Sequence, residues 1–169
     1  YSALRFMAKV AGSAGDEASA TRYETWASAV KDSFVKVFWN EEDKYLFDWV
    51  DPTTGEHDDA IRPNAIFALS LPNPVLDEKW GRQVFATCWN ELYTTYGLRT
   101  LDPHHYKFKG RAEGRPDQKK KARWRGMAWP WLLAHFITAY MRYNPQSKEM
   151  GWSFIRPFSS HLRRGCLGG

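Results

Sequence analysis

Apolar positions recur at helical spacing along most of the chain. Leu4, Met7, Ala8 and Ala11 keep an i, i+3, i+4, i+7 stripe, which predicts a helix ending near Gly12. Asp16 opens a longer helix with Tyr23, Ala27, Val30, Phe34, Val37 and Phe38 on one face. It runs out at the polar stretch Asn40-Glu41-Glu42-Asp43. Tyr45 to Asp51 alternates aromatic and other residues up to the turn Asp51-Pro52-Thr53-Thr54-Gly55, so it reads as a short strand or an extended loop. Pro63 fits the first turn of a third helix that ends at Pro72. Asp77 is placed to cap a fourth, with Val84, Phe85, Cys88, Trp89 and Leu92 inward and Gly97 as its stop. Residues 98–127 read as a basic, irregular loop. A fifth helix is expected from Ala128 to Tyr143, with Pro130 in its first turn. A sixth, Trp152 to Leu162, is either kinked at Pro157 or starts late.

Helices of roughly 15–20 residues, joined by alternately short and long connections, predict helical hairpins packed side by side. A ring of such hairpins gathers its long loops on one face, and a site belongs on that face. Composition adds one thing to this picture. Aromatic residues make up 16% of 169 positions, with nine Trp and eight Tyr. That is more large amphipathic rings than a core of this size needs, so some are expected to line a cleft, where sugars stack their C–H faces.

Cysteine and hydropathy narrow the setting. Cys88 and Cys166 make no disulfide framework, there is no signal-peptide core, and no apolar run reaches the ~18–20 residues of a membrane helix. The expectation is a cytoplasmic protein with no membrane partner. The chain starts inside a helical pattern at Tyr1 and stops on Leu167-Gly168-Gly169, which reads as an internal piece of a longer polypeptide.

Several clusters carry chemistry, each with a plain structural alternative. Asp58, Arg62 and Asn64 gather at the mouth of the third helix, and Arg62 is held extended by the proline that follows it. They form a clamp on sugar hydroxyls, or an ion pair plus a cap. Arg99 and Asp102 flank a turn at Asp102-Pro103 and face a ligand or brace the loop. Trp129 and Trp131 flank Pro130 as a sugar platform or a structural plug. The basic run Arg111 to Arg125 reads as a solvated loop, because a net charge of only +5 leaves no second basic surface for nucleic acid. His104 and His105 are adjacent and match no zinc spacing, so no metal or cofactor is expected. Asp48, Asp51, Glu56, Asp58, Asp59 and Asp102 remain as loop carboxylates at one end of the hairpins, the currency of glycoside hydrolysis.

Taken in order, these phrases resemble the C-terminal glucosidase domain of glycogen debranching enzymes, the amylo-α-1,6-glucosidase family. Arg62-Pro63-Asn64 is similar to its Arg-Pro-Asn motif, Leu98-Arg99-Thr100-Leu101-Asp102-Pro103 to its Gly-Leu-Arg-Thr-Leu stretch, and Trp129-Pro130-Trp131 to its Trp-Pro-Trp helix start. Tyr1 to Val10 resembles the helix that follows its Val-Glu-Ile-Asn-type segment, and His161 to Gly168 the run before its C-terminal catalytic segment. The resemblance implies an all-α fold, an (α/α)6 toroid of which residues 1–169 form about half, truncated at both ends. It implies inverting hydrolysis of an α-1,6-linked branch glucose on glycogen or a limit dextrin, with Asp58, Arg62, Asn64, Arg99, Asp102, Trp129 and Trp131 lining the pocket. A non-catalytic carbohydrate-binding module on the same scaffold is the alternative. The family's acid and base fall in Trp-Met-Asp-type and Ile-Ala-Glu-type segments that this sequence does not contain, so the remainder of the same polypeptide is the implied partner. Arg123-Trp124-Arg125-Gly126 stands where the family usually shows Tyr-His-Gln-Gly, which puts bulk and charge in place of a neutral donor and acceptor.

Overall fold

The computed structural model describes residues 1–164; Cys166 and the Leu167-Gly168-Gly169 ending lie outside the described residues. Helix α1 (Ser2–Ser13) turns at Ala14 and Gly15 into the long α2 (Glu17–Phe38). Asp16 caps α2 by accepting the Ser19 N–H at 3.0 Å, and the Arg5–Glu24 ion pair ties the two helices together. Small side chains, Ala8, Ala11 and Ala27, are the buried residues of this hairpin.

Two short antiparallel ribbons follow. Strand β1 (Trp39–Asn40) pairs with β2 (Tyr45–Leu46), and β3 (Trp49–Val50) with β4 (His57–Asp58). The second ribbon closes over Asp51, whose Oδ1 accepts the N–H groups of Thr53 and Thr54. Pro63–Ile66 form a 3-10 turn that runs into the short α3 (Phe67–Ser70) and stops at Leu71, before Pro72. Helix α4 (Glu78–Thr87) widens into a π turn at Cys88–Leu92. Strands β5 (Tyr93–Thr94), β6 (Gly97–Arg99) and β7 (Ala128–Trp129) make a three-stranded antiparallel sheet in that order. Helix α5 (Pro116–Ala122) lies within the β6–β7 connection, and α6 (Leu132–Tyr143), α7 (Lys148–Ser153) and α8 (Arg156–Arg164) complete the described chain.

The core sits between α3, α4 and α6. Phe136 is fully buried, stacked on Tyr93 at 5.0 Å and close to Phe85, Trp89 and Phe154. Ile66, Leu69, Val84, Leu92, Leu98 and Ala139 fill the space around these rings.

Several elements differ from the sequence expectation. The chain is predominantly helical, but it is not purely so: three small sheets hold the loops between helices. Helices α4 and α6 are shorter than expected, at 10 and 12 residues. Gly97 is not a helix stop. It opens β6 at φ +147°, where an added Cβ would lie 2.4 Å from the Trp129 carbonyl oxygen, so cross-strand approach requires glycine. The fifth helix begins at Leu132, because Ala128 and Trp129 pair with Arg99 and Leu98 instead. Residues 98–127 are likewise not all loop, since they hold part of β6 and all of α5. Asp77 stands at the head of α4 but does not cap it; its carboxylate binds Lys31 Nζ at 2.6 Å. Of the two readings of Pro157, the late start holds: the proline is the second residue of α8. No helix among the described residues is long and apolar enough to cross a membrane.

Candidate functional site

Three chain segments meet around the Arg62 guanidinium. Arg62 is extended (φ −130°, ψ 156°), as a residue before proline should be, and its side chain leaves the head of the 3-10 turn. Its Nε lies 3.3 Å from Asp48 Oδ2 and 4.0 Å from Asp58 Oδ2. Its Nη1 donates to the carbonyl oxygens of Thr100 at 3.1 Å and Trp124 at 2.9 Å. Beneath it, the buried Tyr45 hydroxyl donates to the Arg62 carbonyl oxygen at 2.8 Å. Asn64 Nδ2 donates to the other Asp48 oxygen at 2.7 Å. Asp58 Oδ1 in turn accepts the Ala60 N–H, which fixes the β4 exit.

Asp48 is the electrostatic centre of this cluster. Burial pushes its carboxyl above the ordinary carboxylate value, against the opposing pull of the Asn64 hydrogen bond and Arg62. Nearby Asp58 adds to the upward shift. The Tyr45 hydroxyl also meets the Cys88 thiol at 3.1 Å, and burial pushes that thiol up to about 12.

The cluster floors two cavities. One, about 170 Å³, is lined by Asp48, Arg62, Asn64 and Thr100 below and by Trp124, Trp129 and Trp131 along its wall. Trp124 and Trp129 meet edge-to-face at 4.8 Å, and Trp129 and Trp131 lie 6.0 Å apart. The pairing of β6 with β7 sets Trp129 opposite Leu98, and Pro130 then turns the chain so that Trp131 packs on Phe67. Trp124 and Trp131 are each more than half exposed. The second cavity, about 300 Å³, shares Asp48, Arg62 and Asn64 and is otherwise mostly apolar, with Val30, Phe34 and Phe38 of α2 facing Phe67 and Ala68 of α3. Asp48 is the one carboxylate lining either cavity among the described residues.

Of the seven residues singled out in the sequence, Arg62, Asn64, Trp129 and Trp131 line the smaller cavity, and Asp58 supports Arg62 from behind. Arg99 and Asp102 do not line it. Arg99 Nη1 donates to the Tyr93 carbonyl oxygen at 3.2 Å, and Asp102 binds the His104 N–H beside Glu91. Among the polar and tryptophan side chains of the lining, the sequence does not single out Asp48, Thr100 or Trp124. Asp48 is one of six similar loop carboxylates, Thr100 sits between the more conspicuous Arg99 and Asp102, and Trp124 departs from the family pattern, so none carries a signal of its own.

The arrangement can grip a flat polyol. A carboxylate, an amide and a guanidinium offer hydrogen bonds along one edge, and three indoles cover the other. The profile of the family described as amylo-alpha-1,6-glucosidase matches residues 1–168. No curated protein matches the chain.

Proposed function

We propose, from the premise that this chain belongs to the amylo-alpha-1,6-glucosidase family, that it forms one wall of the sugar pocket of an α-1,6-glucosidase acting on a branched α-glucan. The observation that carries this reading is the 170 Å³ cavity with a hydrogen-bonding floor at Asp48, Arg62 and Asn64 and a tryptophan wall. The branch glucose lies with its C–H face on Trp129 and Trp131 and its hydroxyls toward Asp48 and Asn64. Arg62 holds the floor in place, since its Nε and Nη1 already serve Asp48, Thr100 and Trp124. On this reading residues 1–169 form a single unit, part of an (α/α)6 toroid, and Asp58 supports the site rather than touching sugar.

Inverting hydrolysis needs a protonated acid and a base about 6.5–9.5 Å apart, with the attacking water beside the base. Asp48 alone cannot fill both roles, and its bonds to Arg62 and Asn64 suit it to orientation. We assign proton transfer to carboxylates beyond these cavity walls, and the chain's own part to positioning, which by itself lowers a barrier by fixing the reacting geometry. The lone lining carboxylate equally favours a second reading, a carbohydrate-binding module without chemistry.

The test pairs binding with release. Tryptophan fluorescence of the polypeptide carrying this sequence should respond saturably to a branched limit dextrin, with Trp129→Ala binding about tenfold more weakly (about 1.4 kcal/mol). Free glucose should appear from the same dextrin. Binding without glucose leaves the binding module, and no fluorescence response to any α-glucan sinks both readings.

A further inference from the structure

The segment that brings Trp124 to the sugar cavity also holds the chain's excess positive charge. Between Lys107 and Arg125 there are nine Lys and Arg against two acids, Glu113 and Asp117. That is a local excess of seven on a chain whose net charge is +5, so the rest of the molecule is net negative by two. Both acids are taken up locally, Glu113 by Arg111 at 3.7 Å and Asp117 by Arg115 at 3.5 Å. Lys119, Lys120, Lys121 and Arg123 are exposed and make no ion pair among the described residues.

This segment is not a loose appendage. Ala122, at the end of α5, is fully buried, and its carbonyl oxygen accepts the N–H groups of Arg125 and Met127. Gly126 N–H donates to the buried Thr100 hydroxyl at 2.9 Å, and Trp124 is held through its carbonyl oxygen by Arg62. The free cations therefore stand on a short helix and turn bolted to the cavity floor, directly before an indole that lines the cavity. A neutral glucan offers such a cluster hydroxyl oxygens but no charge to match its own.

We propose that this basic rim selects α-glucan chains carrying phosphate monoesters, the ester held by Lys119–Lys121 and Arg123 while a neutral glucose ring occupies the tryptophan-walled cavity. Ammonium and guanidinium groups form charge-assisted hydrogen bonds to phosphate oxygens that a hydroxyl cannot match. The inference rests on the sugar-pocket reading above. A nucleic acid is disfavoured because the charge is confined to one rim and the remaining surface is net negative, where a long polyanion would be repelled.

The experiment compares one α-glucan in neutral and phosphorylated form, titrated by tryptophan fluorescence at low and high salt, with single-stranded DNA of matched phosphate content as a third probe. The protein should bind the phosphorylated glucan about tenfold tighter at low salt, an advantage that shrinks as salt rises. The exposed triple variant K119Q/K120Q/K121Q should keep its affinity for the neutral glucan and lose the advantage, and R123Q should lose part of it. Equal affinity for the two glucans, or a triple variant that keeps the advantage, overturns the rim alone. DNA bound more tightly than the phosphorylated glucan reassigns the rim to nucleic acid and overturns it too. Failure to bind either glucan overturns the sugar pocket and the rim with it.

Discussion

Helices α1 and α2 carry apolar stripes, as α4 and α6 do, yet the two pairs use them in opposite ways. On the first hairpin the buried residues are Ala8, Ala11 and Ala27, while Phe6, Met7, Val10, Trp26 and Val37 stand exposed. Between α4 and α6 the large residues Val84, Phe85, Leu132, Leu133 and Phe136 are all beneath the surface. The hairpin is held by close approach of small side chains and by the Arg5–Glu24 pair, and the core by interlocked rings. Periodicity therefore shows which face of a helix is apolar, not what covers it. The larger cavity lies on the seam between the two regions, with Val30, Phe34 and Phe38 on one side and Phe67 and Ala68 on the other.

The sharpest way to break this contrast is Phe136→Ala. Removing a fully buried ring at the centre of the aromatic cluster should cost about 3–5 kcal/mol in denaturant unfolding. A loss below about 1 kcal/mol would mean that the rings repack and that α4 and α6 are no tighter than the hairpin.

A smaller effect is expected at the seam, where Asp48 reports on burial through pH. Its folded value is raised above 3.8, so the folded chain holds a proton that the unfolded chain has lost in the interval between the two values. The stability it contributes is full below pH 3.8 and is lost as pH rises through the raised value. Asp48→Asn should flatten that fall in denaturation midpoints taken across the acidic range. An unchanged profile would remove the desolvated carboxylate from the site.

The smallest effect sharpens the comparison from the other side. Phe6→Ser replaces a ring that is 61% exposed, so stability should stay within about 0.5 kcal/mol. The exposed stripe it belongs to predicts self-association, and sedimentation of the same variant should show less of it. A cost comparable to that of Phe136→Ala would show that the hairpin face is covered after all.

What the sequence revealed divides along the range of the forces involved. Helix α2 was legible almost to the residue, because Asp16 caps it through a contact three residues away and a long apolar stripe follows. Strands β6 and β7 were not, since two or three residues carry no period-2 signal and their pairing joins Leu98 to Trp129 across a long connection. At the site, Arg62 and Asn64 stood out beside a proline at a helix mouth. Choosing Asp48 from among the loop carboxylates required knowing that Arg62 and Asn64 both fold back onto it. Arg99 and Asp102 looked equivalent in the sequence, yet β6 turns Arg99 back to the Tyr93 carbonyl and the turn after β6 ties Asp102 to the His104 N–H.

Gly97 has a consequence for how such a chain can diverge. With the Trp129 carbonyl oxygen 2.4 Å from where its Cβ would sit, the residue is fixed by the wall it helps to place. Gly15 and Gly55 share the left-handed backbone but have open space around them, so they can drift toward asparagine at modest cost. A lineage can therefore rewrite its surface turns freely, but it cannot exchange this glycine without reshaping the tryptophan wall. A constraint on the tryptophan wall is thereby transmitted to a residue that lines no part of the cavity.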